Sequence, residues 1–111
     1  MHELSIAQSV VDAITQRLGD QTVCRVRLEI GPLAGVVADS VRFCFDLVTD
    51  GTGLHGAALE IDEPPGRARC RRCRTEFDVD DLLALCACGS AELDVLAGEQ
   101  LTIKEVEVAV A

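Results

Sequence analysis

Six cysteines stand in the 111-residue chain, and four fall in two close pairs: Cys70-Arg71-Arg72-Cys73 and, thirteen residues downstream, Cys86-Ala87-Cys88. Two close pairs joined by a short ribbon are the usual plan of a closed tetrahedral Zn(II) site, in which four thiolates leave no position for water or substrate. Such a site is structural, and losing a ligand unfolds the segment it holds, because metal binding supplies that segment's folding free energy. The second pair is CxC rather than CxxC, which tightens the chelate and changes which backbone amides can donate to sulfur. Two other readings therefore stay open: a Cys86–Cys88 disulfide with redox chemistry, or a fourth ligand from elsewhere such as His55. Four thiolates and one Zn(II) leave net negative charge, and Arg67, Arg69, Arg71, Arg72 and Arg74 crowd beside them where they offset it. Cys24 and Cys44 stand alone on apolar faces and read as buried core thiols.

A second constellation opens the chain: Met1-His2-Glu3. A free terminal amine, the His2 amide nitrogen and the His2 imidazole can close two small chelate rings around one ion. Those donors suit a square-planar ion such as Ni(II) or Cu(II). Glu3 can add an amide or a carboxylate, and a long residue at position 2 tends to protect Met1 from removal. Amine and imidazole must lose their protons to bind, so affinity weakens as pH falls toward about 6. Open access at a chain end favours transfer over storage. The plainer alternative is an exposed polar residue ahead of a helix.

Composition sets the class of molecule that carries these groups. A chain of this length forms one ordinary domain and buries roughly 60–70% of its unfolded surface. Three Phe and no Trp or Tyr mean that aliphatic side chains fill the core. No stretch approaches the roughly 20 apolar residues of a membrane span, and the start lacks the basic end and apolar run of a secretion signal. We expect a cytoplasmic protein without a membrane partner. In a reducing compartment a cysteine cluster more often holds metal than disulfides. Net charge is −9, from 19 acidic and 10 basic residues, which disfavours nucleic acid.

The elements that must position these residues can be read from periodicity. Leu4, Ala7, Val10, Val11, Ile14 and Leu18 step by three and four, which predicts a helix that Gly19 stops. VCRVRLEI alternates Cys24, Val26, Leu28 and Ile30 against Arg25, Arg27 and Glu29, as in a half-buried strand. After Gly31-Pro32, Asp39 or Ser40 is placed to cap a second helix running to about Thr49. AALEI predicts a second strand with Ala57, Leu59 and Ile61 on one face, and QLTIKEVEVAV a third, with a bulge near Lys104 and Glu105 where the alternation slips. The expected fold is α+β: two helices packed on a small three-stranded mixed sheet, with a zinc-ribbon-like insert before the last strand. Residues 1–65 plus 98–111 would form the main domain, and 66–97 the four-cysteine insert.

MHELSIAQSVVDAI at the start, EIGPLAGVVADSVRFCFDLVTDGT in the middle, then CRRC, CGS and GEQLTIKEVEV together resemble the HypA/HybF family of hydrogenase maturation proteins. The resemblance spans essentially the whole chain, and MHE combined with the cysteine insert is its most diagnostic part. It implies a nickel metallochaperone rather than an enzyme. Met1, His2 and Glu3 would form the Ni(II) site, with the ion as transferred cargo, and Cys70, Cys73, Cys86 and Cys88 would hold structural Zn(II). It further implies a HypB-type GTPase and the large-subunit precursor of nickel–iron hydrogenase as partners, and some family members also serve urease maturation. The chain itself would act as a monomer or weak homodimer. Two positions depart from the family pattern. The usual second CxxC would begin at Leu85, and many relatives carry an acid where Val37 stands.

Two other functional classes are weighed against this one. A zinc ribbon contacting nucleic acid through its arginines conflicts with the acidity and with the absence of stacking aromatics near the cluster. A thiol redox protein would use Cys86 and Cys88, or a cysteine with His2 as nucleophile and base. The sequence offers no nucleophile elbow, phosphate-cradling glycine pattern or paired-histidine motif to support catalysis.

Overall fold

The computed structural model describes residues 3–81 and 83–110. Helix α1 (Glu3–Leu18) buries Ile6, Ala7, Val10, Val11 and Ile14, the apolar stripe expected of a 3.6-residue period. Leu4 departs from the expected stripe. It is 51% exposed, and Ile6 begins the buried face in its place.

Strand β1 (Val23–Ile30) buries Val23, Val26, Leu28 and Ile30. Cys24 is a correction: it is exposed rather than buried. The pairing runs Val23 with Val108 and then Arg25 with Glu107, so a bulge skips Cys24 and turns its thiol outward, 3.3 Å from the Glu107 carbonyl. Such an extra residue re-aims the side chain it carries. Along the same ladder Arg27 faces Glu105 and Leu28 faces Ile103, which leaves Lys104 as a second bulge where the sequence placed it.

Helix α2 (Ala38–Val48) buries Val41 and Phe45, one turn apart, while Phe43 and Leu47 remain exposed. Cys44 is half-buried and packs on the main core. Neither Asp39 nor Ser40 caps this helix; its N-cap residue is Val37, with no side-chain cap bond of its own. Strand β2 (Ala58–Asp62) then lies parallel to β1, a pairing that requires a crossover, which α2 supplies. The last strand, here β6 (Leu101–Val108), lies antiparallel to β1, so the sheet has the mixed order β2-β1-β6. The core gathers α1, α2 and the apolar face of this sheet. On the other face Arg25 meets Glu60 at 3.1 Å and Glu107 at 3.0 Å, and Arg27 meets Glu105 at 3.4 Å. These solvated pairs set register more than stability.

The inserted segment contains three strands that the sequence did not reveal: β3 (Gly66–Cys70), β4 (Glu76–Val79) and β5 (Leu93–Ala97). They form an antiparallel sheet of order β4-β3-β5. Its small core is Ala68 and Val79 with Phe77, Ala84 and Leu93 against them, plus Leu33, which enters from the loop after β1. Among the described residues, no helix is long and apolar enough to cross a membrane.

The two sheets meet at a neck of backbone contacts. Gly31 N–H donates to the Gln100 carbonyl at 2.8 Å, and Leu33 N–H to the Gly98 carbonyl at 2.7 Å. A Cβ on Gly31 would collide with the Gly98 carbonyl and the Gln100 side chain. Backbone cannot yield there as a flexible side chain can. Gly31→Ala is therefore expected to destabilise the fold by roughly 3 kcal/mol, lowering the thermal midpoint by about 10 °C or more. A midpoint within a few degrees of the parent chain would show that the neck relaxes.

Candidate metal centre

Each half of the centre is a tight turn stitched by backbone hydrogen bonds. Cys70 closes β3, its N–H donates to the Thr75 carbonyl at 2.9 Å, and its carbonyl accepts from Arg74 N–H at 2.9 Å. Inside this turn the Arg72 and Cys73 amides both point at the Cys70 sulfur, at 3.4 Å each. Arg74 returns the chain to β4 with a φ of 64°, a left-handed conformation uncommon for a residue with a Cβ. In the second turn Gly89 N–H donates to the Cys86 carbonyl at 2.8 Å, and Cys86 N–H to the Ser90 carbonyl at 3.0 Å. Gly89 has a φ of 91°. A left-handed residue thus follows the second cysteine of each pair, by strain at Arg74 and freely at Gly89.

The two turns bring four sulfurs together. Cys73 and Cys86 lie 3.4 Å apart, Cys70 and Cys88 3.7 Å, and all four Sγ atoms fall within 4.8 Å of one another. Tetrahedral Zn–S bonds of about 2.3 Å imply sulfur separations of roughly 3.8 Å. One such ion fits this donor set, and no ligand position is left over. Cys70 and Cys86 are buried, whereas Cys73 and Cys88 face solvent. Leu85, where a second CxxC would begin, is 60% exposed, so the shift to Cys86 leaves the donor number unchanged.

Neither rival arrangement of the cysteines is formed. Cys86 and Cys88 each face a partner in the first turn, and all six cysteines are free. His55 does not join the cluster. It is an exposed residue of the loop after α2, its Nδ1 3.9 Å from Asp50.

The thiols differ in acidity for identifiable reasons. Hydrogen bonding from the Thr75 hydroxyl and backbone pulls the Cys73 thiol down to about 6, and the Cys73 amide, then that of Arg72, lowers Cys70. At Cys86 the Cys88 amide acts to lower the value, but burial and the neighbouring thiols push it up to about 12. Before metal arrives some thiols keep their protons, so binding a divalent cation releases protons and acid reverses it. The arginines behave differently from the sequence expectation. Arg67 pairs with Asp78 at 2.6 Å, Arg69 with Glu76 at 3.1 Å and Arg71 with Asp94 at 2.7 Å. Three of the five therefore answer carboxylates on adjacent strands, and Arg72 serves the thiolates through its amide. Pattern reading passed over Thr75 and Ser90, which have no metal-ligand signature; their position just beyond each cysteine pair was the available signal.

Met1 and His2 of the expected nickel site lie outside the described residues. Glu3, the third member, heads α1, and its carboxylate Oε2 accepts a hydrogen bond from Val37 N–H at 3.3 Å.

Comparison with known proteins bears on the chain as a whole. Residues 1–108 match the family model described as HypA, hydrogenase/urease nickel incorporation, metallochaperone. The hydrogenase maturation factor HypA of Nostoc punctiforme is 48% identical over 108 residues, covering 97% of this chain and 96% of the relative. That of Geotalea daltonii is 49% identical over 109 residues, covering 97% and 99%. In fold, the solution structure of the Ni metallochaperone HypA from Helicobacter pylori superposes with a TM-score of 0.65 over the whole of both chains, at 18% identity.

Proposed function

Given that the chain belongs to the HypA family of nickel-incorporation metallochaperones involved in hydrogenase maturation, we propose that it binds Ni(II) through residues 1–3 and passes it to a maturing hydrogenase. The observation that carries this reading is that Met1-His2-Glu3, a chelating sequence on chemical grounds, lies inside the matched span. The Met1 amine and the His2 amide and imidazole supply nitrogen donors, with Glu3 as the third member of the site. Zn(II) sits on Cys70, Cys73, Cys86 and Cys88, where four sulfurs already lie within 4.8 Å. Its role is to hold the ribbon together. Residues 1–65 with 98–111 work as the nickel unit and 66–97 as the zinc unit.

The proposed client is the large-subunit precursor of nickel–iron hydrogenase, and the proposed partner is a HypB-type GTPase in the cytoplasm. Arginine pairing within the ribbon supports a protein client over nucleic acid, because Arg67, Arg69 and Arg71 are already matched by acids. Titration of Ni(II) into two full-length forms tests the terminal site. One form keeps its native start and the other carries a short extension that blocks the amine. Blocking should weaken binding at least about 100-fold, because a primary donor is lost and the chelate ring it closes opens. Equal affinities would place the nickel elsewhere.

A further inference from the structure

Helix α2 starts without a cap of its own. Its N-cap residue, Val37, has a side chain that cannot accept a hydrogen bond. Three residues on stands Ser40, not the Glu or Gln that in a capping box reaches back to the N-cap amide. The missing acceptor comes from the other helix: Oε2 of Glu3, 34 residues earlier, takes the Val37 N–H at 3.3 Å. A carboxylate is also the favoured group at that end of the α2 dipole. Glu3 thus supplies in space one half of a capping box, the acceptor for the N-cap amide, that α2 lacks in sequence. One carboxylate ties the starts of both helices together, beside a shallow groove of about 460 Å³ lined by Leu4, Asp39, Phe43 and Cys44.

We infer that Glu3 is a positioning residue whose carboxylate stays on the Val37 amide and orients the first turn of α1, rather than a side-chain ligand of the cargo ion. The inference rests on the reading of residues 1–3 as the nickel site, and it decides between the two ways in which Glu3 could serve that site. A carboxylate moved onto nickel would strip α2 of its cap each time the ion loads. A carboxylate left in place holds the base from which the terminal nitrogens extend.

The test uses three full-length chains with native starts: the parent, Glu3→Gln and Glu3→Ala. Glutamine keeps a side-chain oxygen that can accept from Val37 but is a poor metal donor; alanine keeps neither. Hydrogen exchange at the Val37 amide, measured without nickel, reports the clamp directly. It should accelerate about tenfold in Glu3→Ala, the effect of losing a helix cap, and stay within about threefold of the parent in Glu3→Gln. Nickel titration should follow the same order, with Gln near the parent and Ala about tenfold weaker. Glu3→Gln binding nickel as poorly as Glu3→Ala would make the carboxylate a ligand and overturn the inference. So would Val37 exchange that is the same in all three chains. Equal nickel affinities for the three, in a protein whose binding is lost when the amine is blocked, overturn this inference alone. Unchanged binding by the amine-blocked chain overturns the terminal site itself.

Discussion

Cys70→Ser, or removal by a chelator of the zinc proposed there, is expected to unfold the ribbon of residues 66–97 while the sheet built on β1 stays folded. The reason is the smallness of the ribbon's own core. Its apolar cluster buries only Ala68 and Val79 of the ribbon, with Leu33 from the loop after β1, and even a fully buried Leu or Val contributes only about 1.5–3 kcal/mol. A structural zinc site contributes about 10–16 kcal/mol near neutral pH. Cross-strand pairs such as Arg67–Asp78 and Arg71–Asp94 are exposed and add little. The main core draws instead on α1, α2 and β1, with Val26, Leu28, Val41 and Phe45 each no more than 1% exposed.

Amide exchange checks this directly: protection should vanish across β3, β4 and β5 and persist in β1. Acid should produce the same partial unfolding, and the sign follows from the ligands. Metal-bound thiolates have folded-state pKa values held below their unfolded values, so their contribution is present at higher pH and is lost as pH falls. The Cys86 thiol, at about 12 without metal, is the proton the ion has the most work to displace. Cys24→Ser, at an exposed thiol outside the cluster, should change neither zinc content nor exchange. Ribbon amides that remain protected after complete zinc removal would show that Leu33 and its neighbours suffice.

Where sequence pattern and structure agree, the cause is local. α1 and β1 each carry a period set by one buried face; β2 and β6 only lean on the core through Leu59, Ile61, Val106 and Val108, with Leu101 and Ile103 exposed, and the slip after Ile103 announced its bulge at Lys104. The clustering of Cys70, Cys73, Cys86 and Cys88 was equally visible, because they stand in two closely spaced pairs. What escaped depends on partners far along the chain. Cys24 points outward because of how β1 registers against Val108 and Glu107, 83 residues away. The N-cap amide of α2 is met by Glu3, while neither Asp39 nor Ser40 caps the helix. Strand β3 alternates buried Ala68 and Cys70 with arginines. That is a period of two, but with side chains so small or charged that hydrophobicity hardly registers it. Leu33, in a loop by sequence, seals the ribbon's core only once the neck brings Gly31 against Gly98.

His2→Ala should abolish specific nickel binding, by at least about 100-fold, without disturbing the fold. In the proposed site the imidazole closes one of two chelate rings; of the described side chains, Glu3 is engaged with Val37, and the other histidine, His55, stands beside Asp50 in the loop after α2. Nitrogen donors of this kind place Ni(II) and Cu(II) high in affinity, so both ions should weaken together while zinc content is unaffected. Folding should be indifferent, because the buried face of α1 begins at Ile6. In the parent chain affinity should fall as pH drops through the range where an imidazole takes up its proton, near about 6.5. The alanine chain, lacking that group, should show no such step in its residual binding. The decisive measurement pairs calorimetric nickel titration between pH 8 and 6 with thermal unfolding of both chains. An affinity within about threefold of the parent, at an unchanged melting midpoint, would remove His2 from the site. A matching result in cells, with nickel-dependent hydrogenase matured normally by the alanine chain at trace nickel, would remove the terminal site from delivery.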